Sequence, residues 1–256
     1  MFAKERQNII FSMIKENGAV TTARLVESFG VSIETIRRDL LQMEQQGQLL
    51  RVHGGAVEKG TMKVCLELKE RNKEYGVQKQ NLSSKAMEFI QEGDVICIDE
   101  GSTAISLSEA LRERFTKLTV VTHSLDVFNI LCNHREFEVI LCGGHFMRTE
   151  NAFFGPLVLD TLNTLHVKKA FIFPSAVSLE YGICDFHQDL YQVQNAMIKA
   201  ADEIYILADS SKFERNALLK LDDMKDTYSY ITDSDLPEEL RSLYKENNIK
   251  IYTGGI

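Results

Sequence analysis

Val31-Ser32-Ile33-Glu34-Thr35-Ile36-Arg37-Arg38-Asp39-Leu40 sets the reading of the front of the chain. Ile33, Ile36, Leu40 and, further on, Met43 recur at helical spacing, which predicts one buried face of a helix running to about Gln46. The opposite face carries Glu34, Thr35, Arg37, Arg38 and Gln42. Gly30 suits a helix stop and Ser32 an N-cap. Upstream, Thr21 can cap a short helix bearing Ala23, Leu25, Val26 and Phe29. Before it, Ile9, Ile10, Met13 and Ile14 mark the stripe of a helix over about Ala3–Asn17. Two helices joined by a tight glycine turn, the second with polar donors at its exposed start, make a helix-turn-helix.

That arrangement suits groove reading. A major groove about 12 Å wide admits one helix, and side chains near its N-terminus reach the base edges. Thr35 can meet a thymine methyl, Arg37 or Arg38 can pair bidentately with guanine, and Ser32 can donate to phosphate. Past Gly47, Leu49-Leu50-Arg51-Val52-His53, then Gly54-Gly55 and Ala56-Val57, predict a two-stranded wing that brings Arg51 and His53 to the DNA. Double-stranded DNA is the expected partner of this region.

Composition narrows the rest. The 256 residues carry 29 Lys+Arg against 37 Asp+Glu, a net charge of −8, with 44% hydrophobic residues: a globular chain, neither disordered nor fibrous. Residues 1–60 have a net charge of +1 and the remainder −9. An acidic body repels phosphate, so nucleic-acid binding is expected of the front end alone. No apolar run is long enough to span a membrane, and the start has no signal-peptide layout, so a cytoplasmic protein without a membrane partner is expected. Cys65, Cys97, Cys132, Cys142 and Cys184 are odd in number and lack C-x-x-C spacing, which argues against a disulfide framework and structural zinc. His145, His166 and His187 lack mutual ligand spacing, so neither metal nor cofactor is expected. The character of the sequence changes at Glu58–Lys63, suggesting a DNA-binding domain over 1–58, a linker over 59–76 and a second domain over 77–256.

In that second domain helices alternate with short apolar strands at Val95–Ile98, Leu118–Thr122, Phe137–Cys142, Ala170–Phe173, Ile204–Ala208, Tyr228–Thr232 and Lys250–Thr253. The pattern predicts an α/β fold, a mostly parallel sheet with helices on both faces. Ligands of such sheets sit at the carboxyl ends of strands. There, Gly101-Ser102-Thr103 can hold an anion at a helix N-terminus, and Asp99 can accept from a sugar hydroxyl. Gly143-Gly144 permits close approach, and Asp209-Ser210-Ser211-Lys212 ends in a point charge suited to phosphate. Together they describe a site for a small phosphorylated polyol.

Residues 1–57, from the 31–40 segment to Arg51-Val52-His53-Gly54-Gly55-Ala56, resemble the N-terminal domain of DeoR-family bacterial transcription regulators. The resemblance implies a winged helix-turn-helix, with its core at about residues 20–39, that binds an operator through Ser32, Thr35, Arg37 and Arg38. Residues 77–253 are similar to the C-terminal sensor domain of the same family and, through it, to ribose-5-phosphate isomerase A. The similarity is carried by Gly101-Ser102-Thr103-Ala104, Val120-Val121-Thr122, Gly143-Gly144, Gly155-Pro156, Ala170-Phe171-Ile172 and Ala208-Asp209-Ser210-Ser211-Lys212. It implies a phosphorylated sugar effector, with Thr122 and His123 at the site.

Three places depart from the family pattern. Phe173-Pro174-Ser175-Ala176 replaces a glycine-containing turn, His123 stands at a position commonly asparagine, and Gln192 and Gln194 lie where Glu and Lys are frequent. These departures imply an effector pocket that is smaller, less polar or altered in preference. An isomerase would need a carboxylate base at the Phe171–Ala176 strand end, which has none, so binding without turnover is expected. The competing expectation is a second domain that only oligomerises. One reading helix recognises only a few base pairs, so a homo-oligomer of at least two copies is expected either way.

Overall fold

The computed structural model describes residues 2–17, 19–52, 54–58 and 68–255. Helix α1 (Ala3–Asn17) leads through β1 (Ala19–Thr21) into α2 (Thr22–Phe29) and α3 (Ile33–Gln45), followed by β2 (Leu49–Val52) and β3 (Gly55–Glu58). Both caps fall where the sequence placed them. The Thr21 side chain accepts from the Arg24 N–H, Gly30 ends α2 in the left-handed region, and the Ser32 side chain accepts from the Thr35 N–H. Ile10, Ile14, Val20, Leu25, Ile36, Leu40, Met43 and Leu49 close one small core.

Two residues assigned to buried stripes lie outside it: Ile33 is 49% exposed and Ile9 42%. Asp39 on α3, not assigned to that face, is buried against Arg6 of α1 with Arg6 Nε 2.5 Å from its carboxylate. The expected two-stranded wing gains a third strand, in the order β1-β3-β2 with antiparallel pairing throughout.

The proposed linker spans residues 59–76. Of these, 59–67 lie outside the described residues, and 68–71 form a single helical turn, α4 (Leu68–Arg71). Helix α5 (Gly76–Ala86) then leads to β4 (Val95–Ile98), α6 (Ser102–Arg114), β5 (Thr119–Thr122), α7 (Leu125–Leu131) and β6 (Glu138–Leu141). The hairpin β7 (His145–Met147) and β8 (Ala152–Phe154) precedes α8 (Pro156–Asn163) and β9 (Val167–Ile172). Next come β10 (Ala176–Ser178), β11 (Gly182–Asp185), α9 (Gln188–Lys199), β12 (Ala201–Leu207) and β13 (Leu219–Asp222). The chain closes with β14 (Ser229–Asp233), α10 (Glu238–Glu246) and β15 (Lys250–Gly254).

Among the described residues, seven strands form one parallel sheet in the order β15-β14-β12-β9-β4-β5-β6. Its two faces bury separate apolar clusters, as a strand covered on both sides requires. From β4 the chain steps through β5 to β6. It then returns to the other side of β4 at β9 and proceeds outward through β12. The strand order therefore reverses between β4 and β9, the switch point beyond whose carboxyl ends a ligand crevice is expected in such sheets. A second, antiparallel sheet, β10-β11-β13, was not expected from the sequence. It packs Ala176, Cys184, Phe186 and Ala217 against Ala19 and Val57 of the winged unit.

Candidate functional site

The outer face of α3 is open. Ser32, Arg37 and Arg38 are exposed and Thr35 is partly so, while Ile36, Leu40 and Met43 anchor the opposite face. The side chain of Arg37 is 60% exposed and lies 3.6 Å from Glu34 one turn back. Such a surface pair is weakly held, which leaves the guanidinium available to another partner. Arg51 on β2 is exposed, and its backbone N–H bonds Glu44 Oε1 at 2.9 Å, tying the wing to the end of α3. His53 lies outside the described residues.

At the β4–β9 crevice the structure brings Asp99 and His123 together. His123 Nε2 is 2.9 Å from Asp99 Oδ1, and its Nδ1 is 2.8 Å from the Phe153 carbonyl. The other Asp99 oxygen accepts from the Phe173 N–H at 3.2 Å and from Gln194 Nε2 at 2.9 Å. Asp99 is fully buried. In this arrangement its carboxylate is filled by protein donors and braces three strand ends, instead of standing open to a sugar hydroxyl as the sequence reading had it. Two of the noted departures, His123 and Gln194, converge on this one carboxylate, whereas Gln192 is exposed elsewhere on α9.

The remaining candidates divide. Gly101 and Thr103 are buried and Ser102 partly exposed at the start of α6. Thr122 Oγ1 accepts from the Ser124 N–H at 3.0 Å, closing the turn after β5. Asp209 caps the turn after β12 by accepting from the N–H and hydroxyl of Ser211. Lys212 Nζ donates to the Pro174 carbonyl at 2.9 Å, and burial holds its ammonium below the usual lysine range against the opposing pull of Asp209. Gly143 and Gly144 follow β6, two strands away from β4. A Cβ on Gly144 would lie 2.5 Å from the Phe154 carbonyl oxygen, so this glycine admits the β7–β8 hairpin.

Several charged residues at the crevice were not singled out in the sequence. Arg71, from α4, bonds Glu150, and its Nη2 lies 3.9 Å from Glu100 Oε2. His187 Nε2 is 3.4 Å from the same Glu150; burial opposes its protonation, but Glu150 and Asp185 outweigh that and hold it above the usual imidazole range. Burial, reinforced by the charge of Glu150, pushes the Glu100 carboxyl well above the usual carboxylate range. Lys79 Nζ donates to the backbone carbonyls of Arg71 and Glu74 and so holds α4 down. In the sequence Arg71 belongs to the charged run Lys69-Glu70-Arg71, which reads as solvated surface. No periodicity marks it. Among the described residues no cluster of His, Cys, Asp and Glu has a geometry that could hold a metal ion, and no helix is long and apolar enough to cross a membrane.

Residues 75–234 match the family model described as the DeoR C terminal sensor domain, and residues 6–60 the DeoR-like helix-turn-helix domain. A glycerol-3-phosphate regulon repressor of Escherichia coli (strain K12) is 28% identical over 96% of this chain and 97% of its own length. A lactose phosphotransferase system repressor of Lactococcus lactis subsp. lactis is 32% identical over 84% and 85% of the two chains. Ribose 5 phosphate isomerase A from Neisseria gonorrhoeae superposes on 53% of this chain and 52% of its own, with a TM-score of 0.40 and 19% identity.

Proposed function

The chain belongs to the DeoR family of transcription regulators, and from that premise we propose that it is a cytoplasmic repressor of a carbohydrate operon. Its winged helix-turn-helix reads a half-site in double-stranded DNA, and its α/β domain binds a phosphorylated sugar or related metabolite without converting it. The observation that carries this reading is the open edge of α3, where Ser32, Thr35, Arg37 and Arg38 face outward while Ile36, Leu40 and Met43 hold the helix from behind. Base readout requires that polarity. The names of relatives support the sugar theme, since they include repressors of a glycerol-3-phosphate regulon and of a lactose phosphotransferase system. A homo-oligomer of at least two copies follows from the size of an operator.

Arg37→Ala is expected to relax base preference at one position, at a cost of about 1–3 kcal/mol of discrimination, whereas Arg51→Ala weakens all sequences alike. Footprinting upstream of neighbouring genes with both variants tests this, and the reverse order would contradict the assignment. A second reading, in which the α/β domain only oligomerises, draws on the filled Asp99 carboxylate. Calorimetry against sugar phosphates separates the two. Turnover of a pentose phosphate would overturn both.

A further inference from the structure

The open face of α3 carries a carboxylate in its first turn, Glu34. Its side chain is 73% exposed, on the side of the helix away from the buried row of Ile36, Leu40 and Met43. Beside it, the hydroxyls of Ser32 and Thr35 lie 2.9 Å apart and satisfy one another. The charged groups at this end of the helix are Glu34, Arg37 and Arg38, all exposed. Two of them are in contact, with Glu34 Oε2 3.6 Å from Arg37 Nη1.

A carboxylate brought up to a polyanion is unfavourable unless it meets a donor. An exposed pair one turn apart and the positive end of the helix hold Glu34 only weakly in the free protein. In the major groove the donors are the amino groups of cytosine and adenine, whereas guanine O6 and N7 and thymine O4 are acceptors that repel a carboxylate. Adenine sets its N7 acceptor beside its amino group, where the second carboxylate oxygen would face it. Cytosine has no acceptor on that edge. Within a C·G pair the cytosine amino group adjoins guanine O6, so a donor stands next to an acceptor. A carboxylate in contact with a guanidinium presents the complementary order.

We propose that Glu34 and Arg37 together read one C·G base pair. The Glu34 carboxylate accepts from cytosine N4 while the Arg37 guanidinium donates to O6 and N7 of the paired guanine. Glu34 is then a specificity-determining residue that selects cytosine and rejects thymine and guanine at its own contact by repulsion. This deepens the operator-binding reading given above and rests on it.

The test uses the full chain and a pool of randomised DNA duplexes, from which the bound sequences are recovered and read for the wild type, Glu34→Gln and Glu34→Ala. Both changes fall on an exposed position, where folding tolerates them. The wild type is expected to favour a C·G pair at one position of each half-site by about fivefold or more. Glu34→Gln, whose amide fits adenine N6 and N7, is expected to admit an A·T pair at that position and to keep the other preferences. Glu34→Ala is expected to lose the preference there and, with one negative charge fewer on the face, to bind duplexes lacking the site more tightly than the wild type does. A merely structural Glu34 would weaken binding to every sequence alike and alter the base at none. If either variant keeps the wild-type preference at every position, or if the position they alter is A·T in the wild type, the proposal is overturned and the operator-binding reading stands. A wild type that enriches no sequence overturns that reading, and this proposal with it.

Discussion

Asp39 and Lys79 show how a single side chain can run against the pattern around it. Asp39 occupies a helical face otherwise filled by Ile36, Leu40 and Met43, and it is tolerated there because Arg6 Nε meets it at 2.5 Å and Gln7 Nε2 approaches at 3.4 Å. Removing one member leaves a buried charge uncompensated. Arg6→Met is therefore expected to destabilise the winged domain by about 3–5 kcal/mol, and Arg6→Met with Asp39→Leu to recover much of that loss. Thermal denaturation of both variants checks it. Lys79 is a pH-dependent case. Burial pulls its ammonium from 10.5 down to about 8, although Asp209 favours the charge. A lysine whose folded-state value is depressed costs stability in full below about 8, and the cost is relieved as the pH climbs toward 10.5. The melting temperature of the wild type should therefore gain on that of Lys79→Met between those limits. A constant gap would refute the assignment.

Strand β1 is only three residues long, too short for alternation to register, yet it decides where the wing lies. It pairs Ala19, Val20 and Thr21 with Val57, Ala56 and Gly55. A Cβ on Gly55 would lie 2.1 Å from the Val20 carbonyl oxygen and 3.0 Å from Leu218 Cδ1. Gly55→Ala is thus expected to separate β3 from β1, abolishing operator binding while leaving the unfolding transition of the α/β domain in place. Electrophoretic mobility shift and calorimetric unfolding of the variant test the two halves of that statement. Intact operator binding would mean that β1 does not position the wing.

On the scale of the molecule, one strand end faces both ways. Asp185, last in β11, accepts from Gln194 at the crevice, and the next residue, Phe186, packs in the cluster that joins the antiparallel sheet to Ala19 and Val57 of the winged unit. Cys184, a free thiol 1% exposed, lies in the same cluster. It therefore reports whether the wing is seated. Leu218→Glu, which places a charge beside Gly55, is expected to speed alkylation of Cys184 at least tenfold. Buried Cys97 and Cys142 serve as controls in the same peptide map. Equal rates at Cys184 would show that the contact does not persist in solution.

What could be read without coordinates was local. Caps at Thr21 and Ser32, the periodicity of α3, the glycine turn of the wing and the apolar runs that became the parallel strands all depend on neighbours within a few residues, where backbone sterics and spacing suffice. Folding decided which polar groups would meet. Asp99 and Gln194 are 95 positions apart, and Arg71 and Glu150 are 79. Periodicity tells a residue which face it occupies but not which partner the opposite element brings. That is why the Asp99 bracing, the α4 contact and the β10-β11-β13 sheet had to wait for the tertiary structure.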